Sequence, residues 1–288
     1  MSDRMHCLAR RTLYEWRRAL SPGTPAGLRY DLRALIGEAD LPDHVELVWH
    51  GVNDRTNLRH FLASPVRWGE CDVRRATDGR LALRHDAFEG PVGPAPGDGL
   101  AEPLMIDEFL RAALVEGKGI KLDIKERDVA DELMALVGRS GASGHDLWFN
   151  GRVDVLGEAG FRRLRQAWPA ATVQCPIDAL AAVIMAAPDQ ARAAVDEIAA
   201  WGVDRFSLAW DTGPLAVLLD HLDRWGHDVN LYAVGNLDEF LRAVMLLPRS
   251  VTADFNFPEW HYFGRGAGRD GRYHRYHLDP APPAADVA

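Results

Sequence analysis

Two pairs of residues at a spacing of two carry the chemical interest of this chain: Glu70 with Asp72 in VRWGECDV, and Asp123 with Lys125 in GIKLDIK. In an extended segment, residues two apart project from the same side. Glu70 and Asp72 therefore share a face while Cys71 turns to the other, and Asp123 and Lys125 share theirs. His50 ends the run HVELVWH, and His85 closes the short run LALRH that follows a TDG turn at 77–79. Three carboxylates brought to one place repel unless they are protonated or bridged by a cation, and oxygen-only ligands favour a hard ion, Mg²⁺ or Ca²⁺, over zinc. Two histidines on the same rim supply the rest of a phosphoryl-transfer device, one removing a proton from an attacking hydroxyl and the other protonating a leaving oxygen. Lys125 would then offset charge on a non-bridging phosphate oxygen. Each element also has a structural reading: Glu70 and Asp72 paired with Arg67 or Arg84, Asp123 and Lys125 as a plain ion pair, each histidine as a hydrogen-bonded wall residue. All of them falling at the same end of successive strands favours the chemical one.

The elements that must position these residues are eight short β-rich runs, at 44–50, 66–73, 119–125, 146–150, 171–175, 203–210, 228–234 and 250–255. Between them, helical spacing predicts helices at 55–63, 106–116, 129–137, 158–168, 188–201, 214–225 and 237–246, with Asp54, Pro188, Pro214 and Asn236 as start signals. Eight βα units over this length predict an α/β chain of the (β/α)8 TIM-barrel class, in which reactive groups sit at the carboxyl ends of the strands. No GxGxxG or GxxxxGK[ST] occurs, which removes the signatures of dinucleotide and P-loop folds. The expected organisation is an N-terminal helical extension at 1–43, the barrel at 44–260, and an irregular C-terminal segment with a disordered tail at 261–288. The connection from Thr77 to Pro103, rich in Gly and Pro, is the one irregular link within the barrel.

With 33 Lys+Arg against 42 Asp+Glu, the net charge of −9 argues against a protein that grips nucleic-acid backbone, and no nucleic-acid partner is expected. The arginines at 265, 269, 272 and 275, interleaved with Tyr273 and Tyr276, are the one stretch that would suit single-stranded bases. No run of about 18 apolar residues predicts a membrane span, and the charged N-terminus lacks a secretory signal core. Cys7, Cys71 and Cys175 have neither disulfide-framework nor zinc spacing, and a reducing, cytoplasmic setting is expected.

HGVN at 50–53, ECD at 70–72, the TDG turn, RHD at 84–86 and KLDIK at 121–125 together resemble the glycerophosphodiester phosphodiesterase superfamily of phospholipase C-like TIM barrels. The HxVN form, KGIKLDIKE and LWFNGRVDVLG are closest to the menorin-domain family, with site features similar to those of sphingomyelinase D toxins. NLYAVGNLDEF and TADFNFP extend the resemblance to about residues 44–260. It implies Glu70, Asp72 and Asp123 as ligands of one Mg²⁺ or Ca²⁺, His50 and His85 as the acid/base pair, and Lys125 as a phosphate contact. Asn53 and Tyr232 become substrate-binding candidates, and the strand-end residues Asn150 and Trp210 join them as weaker ones. The implied activity is a metal-dependent phosphodiesterase or cyclising phospholyase acting on a small or lipid-derived phosphodiester. The alternative is a catalytically inactive, menorin-like barrel that binds a ligand or partner. Two departures stand out: Gly51 replaces the arginine usual after the first histidine, with Arg84, Arg152 and the arginines of 265–275 as substitutes, and the toxins' disulfide-stapled loop is missing.

Overall fold

A computed structural model describes residues 45–64, 66–88, 103–235, 237–256, 261–265 and 273–277. The expected helical extension at 1–43, residues 89–102 of the long connection, the Asn236 start signal and the tail beyond Leu278 lie outside the described residues.

All eight predicted strands form. They are β1 (Glu46–Trp49), β2 (Trp68–Arg75), β4 (Gly119–Ile124), β5 (Leu147–Gly151), β6 (Thr172–Pro176), β7 (Arg205–Ala209), β8 (Asp228–Val234) and β9 (Ser250–Ala253). They pair in parallel in the order β1-β9-β8-β7-β6-β5-β4-β2, and β2 pairs again with β1, so the sheet closes on itself as a (β/α)8 barrel. Around it lie α1 (Arg55–Ala63), α2 (Ile106–Val115), α3 (Ala130–Ser140), α4 (Val153–Ala167), α5 (Ala181–Ala186), α6 (Pro188–Ala200), α7 (Leu215–Arg224) and α8 (Leu237–Met245).

The strands alternate between two chemistries. Trp49, Cys71, Val73, Ile120, Leu122, Phe149, Val173, Phe206, Leu208, Leu231 and Val251 are buried on the outer face, against helices whose apolar residues recur at three- and four-residue spacing. In α2 these are Ile106, Phe109, Leu110 and Ala113, and in α7 Leu215, Leu218, Leu219 and Leu222. Each such side chain stabilises by roughly 1.5–3 kcal/mol through removal from water. The inner face is polar above a small apolar floor of Val48, Trp68 and Trp148. Glu70, Asp72, Lys121, Gln174, Arg205, Ser207, Asn230, Ser250, Thr252 and Asp254 are all buried. Hydrogen bonds between non-adjacent strands, such as Lys121 to Thr252 and Arg205 to Glu46, cross this interior.

Asp54 caps α1 by accepting from the Asn57 amide at 2.8 Å, as its position predicts. Pro188 opens α6 in the first turn, whereas Pro214 precedes α7 as its cap residue. The predicted start of the fourth helix at Glu158 corresponds to a kink at Gly157 (φ 59°), with an extra turn before it. The short β3 (Leu81–Leu83) folds back antiparallel on the upper end of β2. The C-terminal segment, expected to be irregular, instead contributes β11 (His261–Arg265) and β12 (Tyr273–His277), which pair antiparallel with each other and with β10 (Phe255–Asn256). Among the described residues, no helix is long and apolar enough to cross a membrane.

Candidate metal and phosphate site

β2 and β4 run side by side with Glu70 opposite Lys121 and Asp72 opposite Asp123, so the two short motifs meet without any loop having to bend. One carboxylate oxygen from each of Glu70, Asp72 and Asp123 lies within 4.8 Å of the others.

Each carboxylate is held from behind. Asn53 and Asp72 exchange two bonds, the Asn53 amide donating to Asp72 Oδ2 at 2.6 Å and the Asp72 backbone N–H donating to Asn53 Oδ1 at 2.9 Å. Asn150 donates to Asp123 Oδ1 at 2.7 Å and is itself fixed by Gln174, whose Nε2 donates to Asn150 Oδ1 at 2.8 Å. The Gly51 backbone N–H donates to Glu70 Oε2 at 2.9 Å. Gly51 adopts φ 69°, a left-handed conformation that disfavours any residue with a Cβ. An arginine at this position would carry the strain of that conformation. Lys125 Nζ lies in an ion pair with Asp72 Oδ1 at 2.8 Å and donates a hydrogen bond to Asp123 Oδ2.

Both histidines stand at this cluster, and both carry enough charge influence to help hold Asp72 down. His50 Nδ1 bonds Asp254 Oδ1 at 2.5 Å, and its Nε2 lies 3.5 Å from Glu70 Oε2. His85 Nδ1 bonds Asp86 Oδ1 at 3.0 Å. The His85 segment is tied to the barrel by the Arg84 N–H donating to Asp72 O at 2.9 Å and by Arg74 Nε donating to His85 O at 2.7 Å.

The electrostatics follow from this crowding. Burial, then the charge of Asp72, push Glu70 up to about 7. Burial alone would raise Asp72 too, but Lys125 and the two histidines outweigh it and hold that carboxyl at about 2. Burial opposes the charge of Lys125, yet Asp123, Asp72 and Glu70 keep its ammonium well above the usual lysine range. Burial likewise works against a charged His50, and the carboxylates of Glu70 and Asp254 more than offset it, so His50 is raised. For His85 burial wins over the attraction of Asp72, and it is lowered. Burial draws the enclosed Lys121 ammonium down to about 8.

The donor set fits a hard divalent cation. It is all oxygen, it is mostly buried, and Glu70 Oε1 accepts no hydrogen bond among the described residues.

Of the other expected residues, Tyr232 donates its hydroxyl to Asp178 Oδ2 at 2.7 Å, and Asp178 Oδ1 accepts from the Ala209 N–H at 2.6 Å and the Thr212 hydroxyl at 2.7 Å. Tyr232 stands close enough to Asp123 and Lys125 to feel both charges. Trp210 packs partly buried against the outer core and donates its backbone N–H to Tyr232 O at 2.8 Å. Asn53 and Asn150 stand behind Asp72 and Asp123. Arg67 stacks over Trp68 and Arg84 over Phe88, both at 5.1 Å, and among the described residues neither pairs with Glu70 or Asp72; Arg152 is bidentate on Asp154. Cys71 and Cys175 are buried and free. Asp254, Asp178, Gln174 and Lys121 escape motif reading. Asp254 had a usable signal, a carboxylate ending the last strand run.

No protein-family model and no curated protein sequence matches the chain. Solved structures do. A putative glycerophosphoryl diester phosphodiesterase from Agrobacterium tumefaciens is similar at TM-score 0.58 and 12% identity, over 73% of this chain and 93% of that one. A putative glycerophosphodiester phosphodiesterase from Galdieria sulphuraria gives TM-score 0.54 and 12% identity over 73% and 93%. A phosphodiesterase from Oleispira antarctica, solved in complex with the product sn-glycerol-3-phosphate, gives TM-score 0.54 and 13% identity over 75% and 94%. At such identities the likeness is one of fold, and the chain has the (β/α)8 barrel that these phosphodiesterase structures share.

Proposed function

We propose that this chain is a phosphodiesterase or cyclising phospholyase that uses a bound Mg²⁺ or Ca²⁺ on a small or lipid-derived phosphodiester. The observation that carries the reading is the cluster of three carboxylates, one oxygen of each within 4.8 Å of the others, with His50 Nε2 3.5 Å from Glu70 Oε2 and the His85 segment tied to Asp72 O by the Arg84 N–H at 2.9 Å. Glu70, Asp72 and Asp123 would hold the cation, which supplies Lewis-acid polarisation of a phosphoryl oxygen. The fold likeness to an enzyme solved with sn-glycerol-3-phosphate supports a small phosphodiester.

The chain's own residues divide the proton work. His85, neutral because burial lowers it, takes the proton from a substrate hydroxyl as that oxygen bonds to phosphorus. His50, whose charged form is favoured by its bond to Asp254, gives its proton to the departing oxygen as the P–O bond breaks. Asp254 and Asp86 fix the two rings through Nδ1, which presents Nε2 for proton exchange. Lys125, at the edge of the cluster, offsets charge on the phosphoryl oxygens.

The test is a panel of phosphodiesters that includes substrates with a vicinal hydroxyl, assayed with and without Mg²⁺ or Ca²⁺. Metal-dependent turnover that His50→Ala and His85→Ala each abolish, while both variants still bind the cation, supports the proposal. Absence of turnover across the panel, or near-normal rates in either variant, overturns it; cation binding without turnover would fit a ligand-binding barrel.

A further inference from the structure

Lys121 has no part in the proton chemistry just described, yet it is only 2% exposed and lies inside the barrel, directly beneath the carboxylates. It is the cross-strand partner of Glu70 and stands two residues before Asp123 on the same face of β4. Among the described residues, no carboxylate lies within ion-pair distance of its Nζ. The ammonium instead donates to Thr252 Oγ1 at 2.9 Å, across the barrel, and rests 4.4 Å from the centre of the Trp148 ring. Thr252 is itself anchored, its hydroxyl donating to Asn230 Oδ1 at 3.0 Å, an oxygen that also accepts from Ser250 Oγ at 2.8 Å.

A buried ammonium without a paired anion is expensive, and a lysine beside two carboxylates would ordinarily close an ion pair with one of them. Here the threonine and the indole hold it back. The geometry separates two functions that an ion pair would merge, since a close pair offsets negative charge but occupies carboxylate lone pairs, whereas a charge held at a distance offsets the repulsion and leaves the oxygens available. Lys125 is of the first kind, bonded to Asp72 and Asp123. Lys121 is of the second, and Glu70 Oε1 remains without a hydrogen-bond partner among the described residues.

We propose that Lys121 is a positioning residue, a fixed counter-charge that makes Glu70 and Asp123 compatible neighbours while Thr252 and Trp148 keep its ammonium off the oxygens meant for the divalent cation. The inference rests on the reading of Glu70, Asp72 and Asp123 as a cation site, and not on turnover.

Two substitutions in the full chain give opposite signs. Lys121→Met removes a positive charge near the cation and tightens Ca²⁺ and Mg²⁺ binding by at least about tenfold. Thr252→Val, close in size, removes the anchor and lets the ammonium rise to compete for Glu70, which weakens binding by about tenfold or more. Lys121→Arg keeps the charge and stays nearer to the wild type than Lys121→Met. Calorimetric titration with each cation reads all three without substrate. Opposite shifts support the proposal; equal affinities, or shifts of the same sign as general loosening would give, overturn it. Should Lys121→Met fail to fold, Thr252→Val decides alone, and a wild-type affinity there overturns the proposal. A wild type that binds neither ion removes the cation site and this role together, whereas one that binds an ion but turns over no phosphodiester removes only the phosphodiesterase reading.

Discussion

Asp254, just after the last barrel strand, holds Nδ1 of His50, just after the first, across the seam where β9 meets β1 and the barrel closes. Asp254→Ala should lower the His50 pKa and cut turnover by roughly 10–100-fold while leaving cation affinity near normal. Steady-state rates with an NMR titration of His50 check this; an unchanged His50 titration would remove Asp254 from its positioning role. The sign of the stability effect is fixed. His50 is raised above its ordinary 6.5, so its contribution is full below about that pH and is lost as pH rises through the raised value.

If Glu70 is a ligand as proposed, it should set the pH dependence of cation binding. With its carboxyl raised from 4.5 to about 7 in the cation-free protein, binding must expel a proton on the acid side of neutrality. Affinity should climb with pH up to about 7 and level off above it. In the absence of cation, the same group favours the fold below 4.5 and loses that contribution as pH rises through 7. Calorimetry in buffers of different ionisation enthalpy counts the released protons.

Asp72→Ala should abolish cation binding and turnover, and should cost about 3–5 kcal/mol because Lys125 loses one of its two anionic partners in a buried setting. Denaturant unfolding measures the cost, and unchanged metal content in the folded variant would contradict the ligand assignment.

Asn53→Ala removes both bonds to Asp72 and leaves the Asp72 backbone N–H without its acceptor. A loss of about 1–3 kcal/mol is expected, with weaker cation binding. Asn53→Asp keeps an acceptor for the Asp72 backbone N–H but places a like charge against Asp72, a repulsion that should destabilise the cation-free fold and that bound Ca²⁺ should relieve. Thermal melts with and without Ca²⁺ separate the two effects.

Gly119→Ala tests the barrel floor. A Cβ there would fall 2.4 Å from Trp68 Cε3, and Trp68 packs edge-on to Trp148 at 5.6 Å. Overpacking of this kind typically costs about 1–3 kcal/mol, read by denaturant unfolding.

The strands were legible because each pairs an apolar outer face with turn signals at its ends, and the carboxylate cluster was legible because Glu70–Asp72 and Asp123–Lys125 lie within single strands. What escaped depends on closure. Asp254 meets His50 from 204 residues away, and Lys121 meets Thr252 from 131, so no local window contains either pair. Asn53 and Asn150 illustrate a different limit. Their positions after β1 and within β5 marked them for the site, but only the side-chain geometry shows that each grips a carboxylate. The C-terminal ribbon was missed because Gly-rich spacing reads as irregular until two strands find each other.

The antiparallel β3 places the two histidines in unlike settings. His50 directly follows a strand bonded on both sides within the closed barrel, whereas His85 follows a three-residue strand that pairs with the upper end of β2 and, among the described residues, makes one further bridge, Ala82 to Met105. Local opening of such an appended hairpin costs less than opening the barrel wall. Native-state amide exchange should therefore be faster around Leu81–His85 than around β1 and β2. A fluctuation there would displace His85 while the carboxylates of β2 and β4 stayed in register, so the two histidines need not be in place together even in the folded protein.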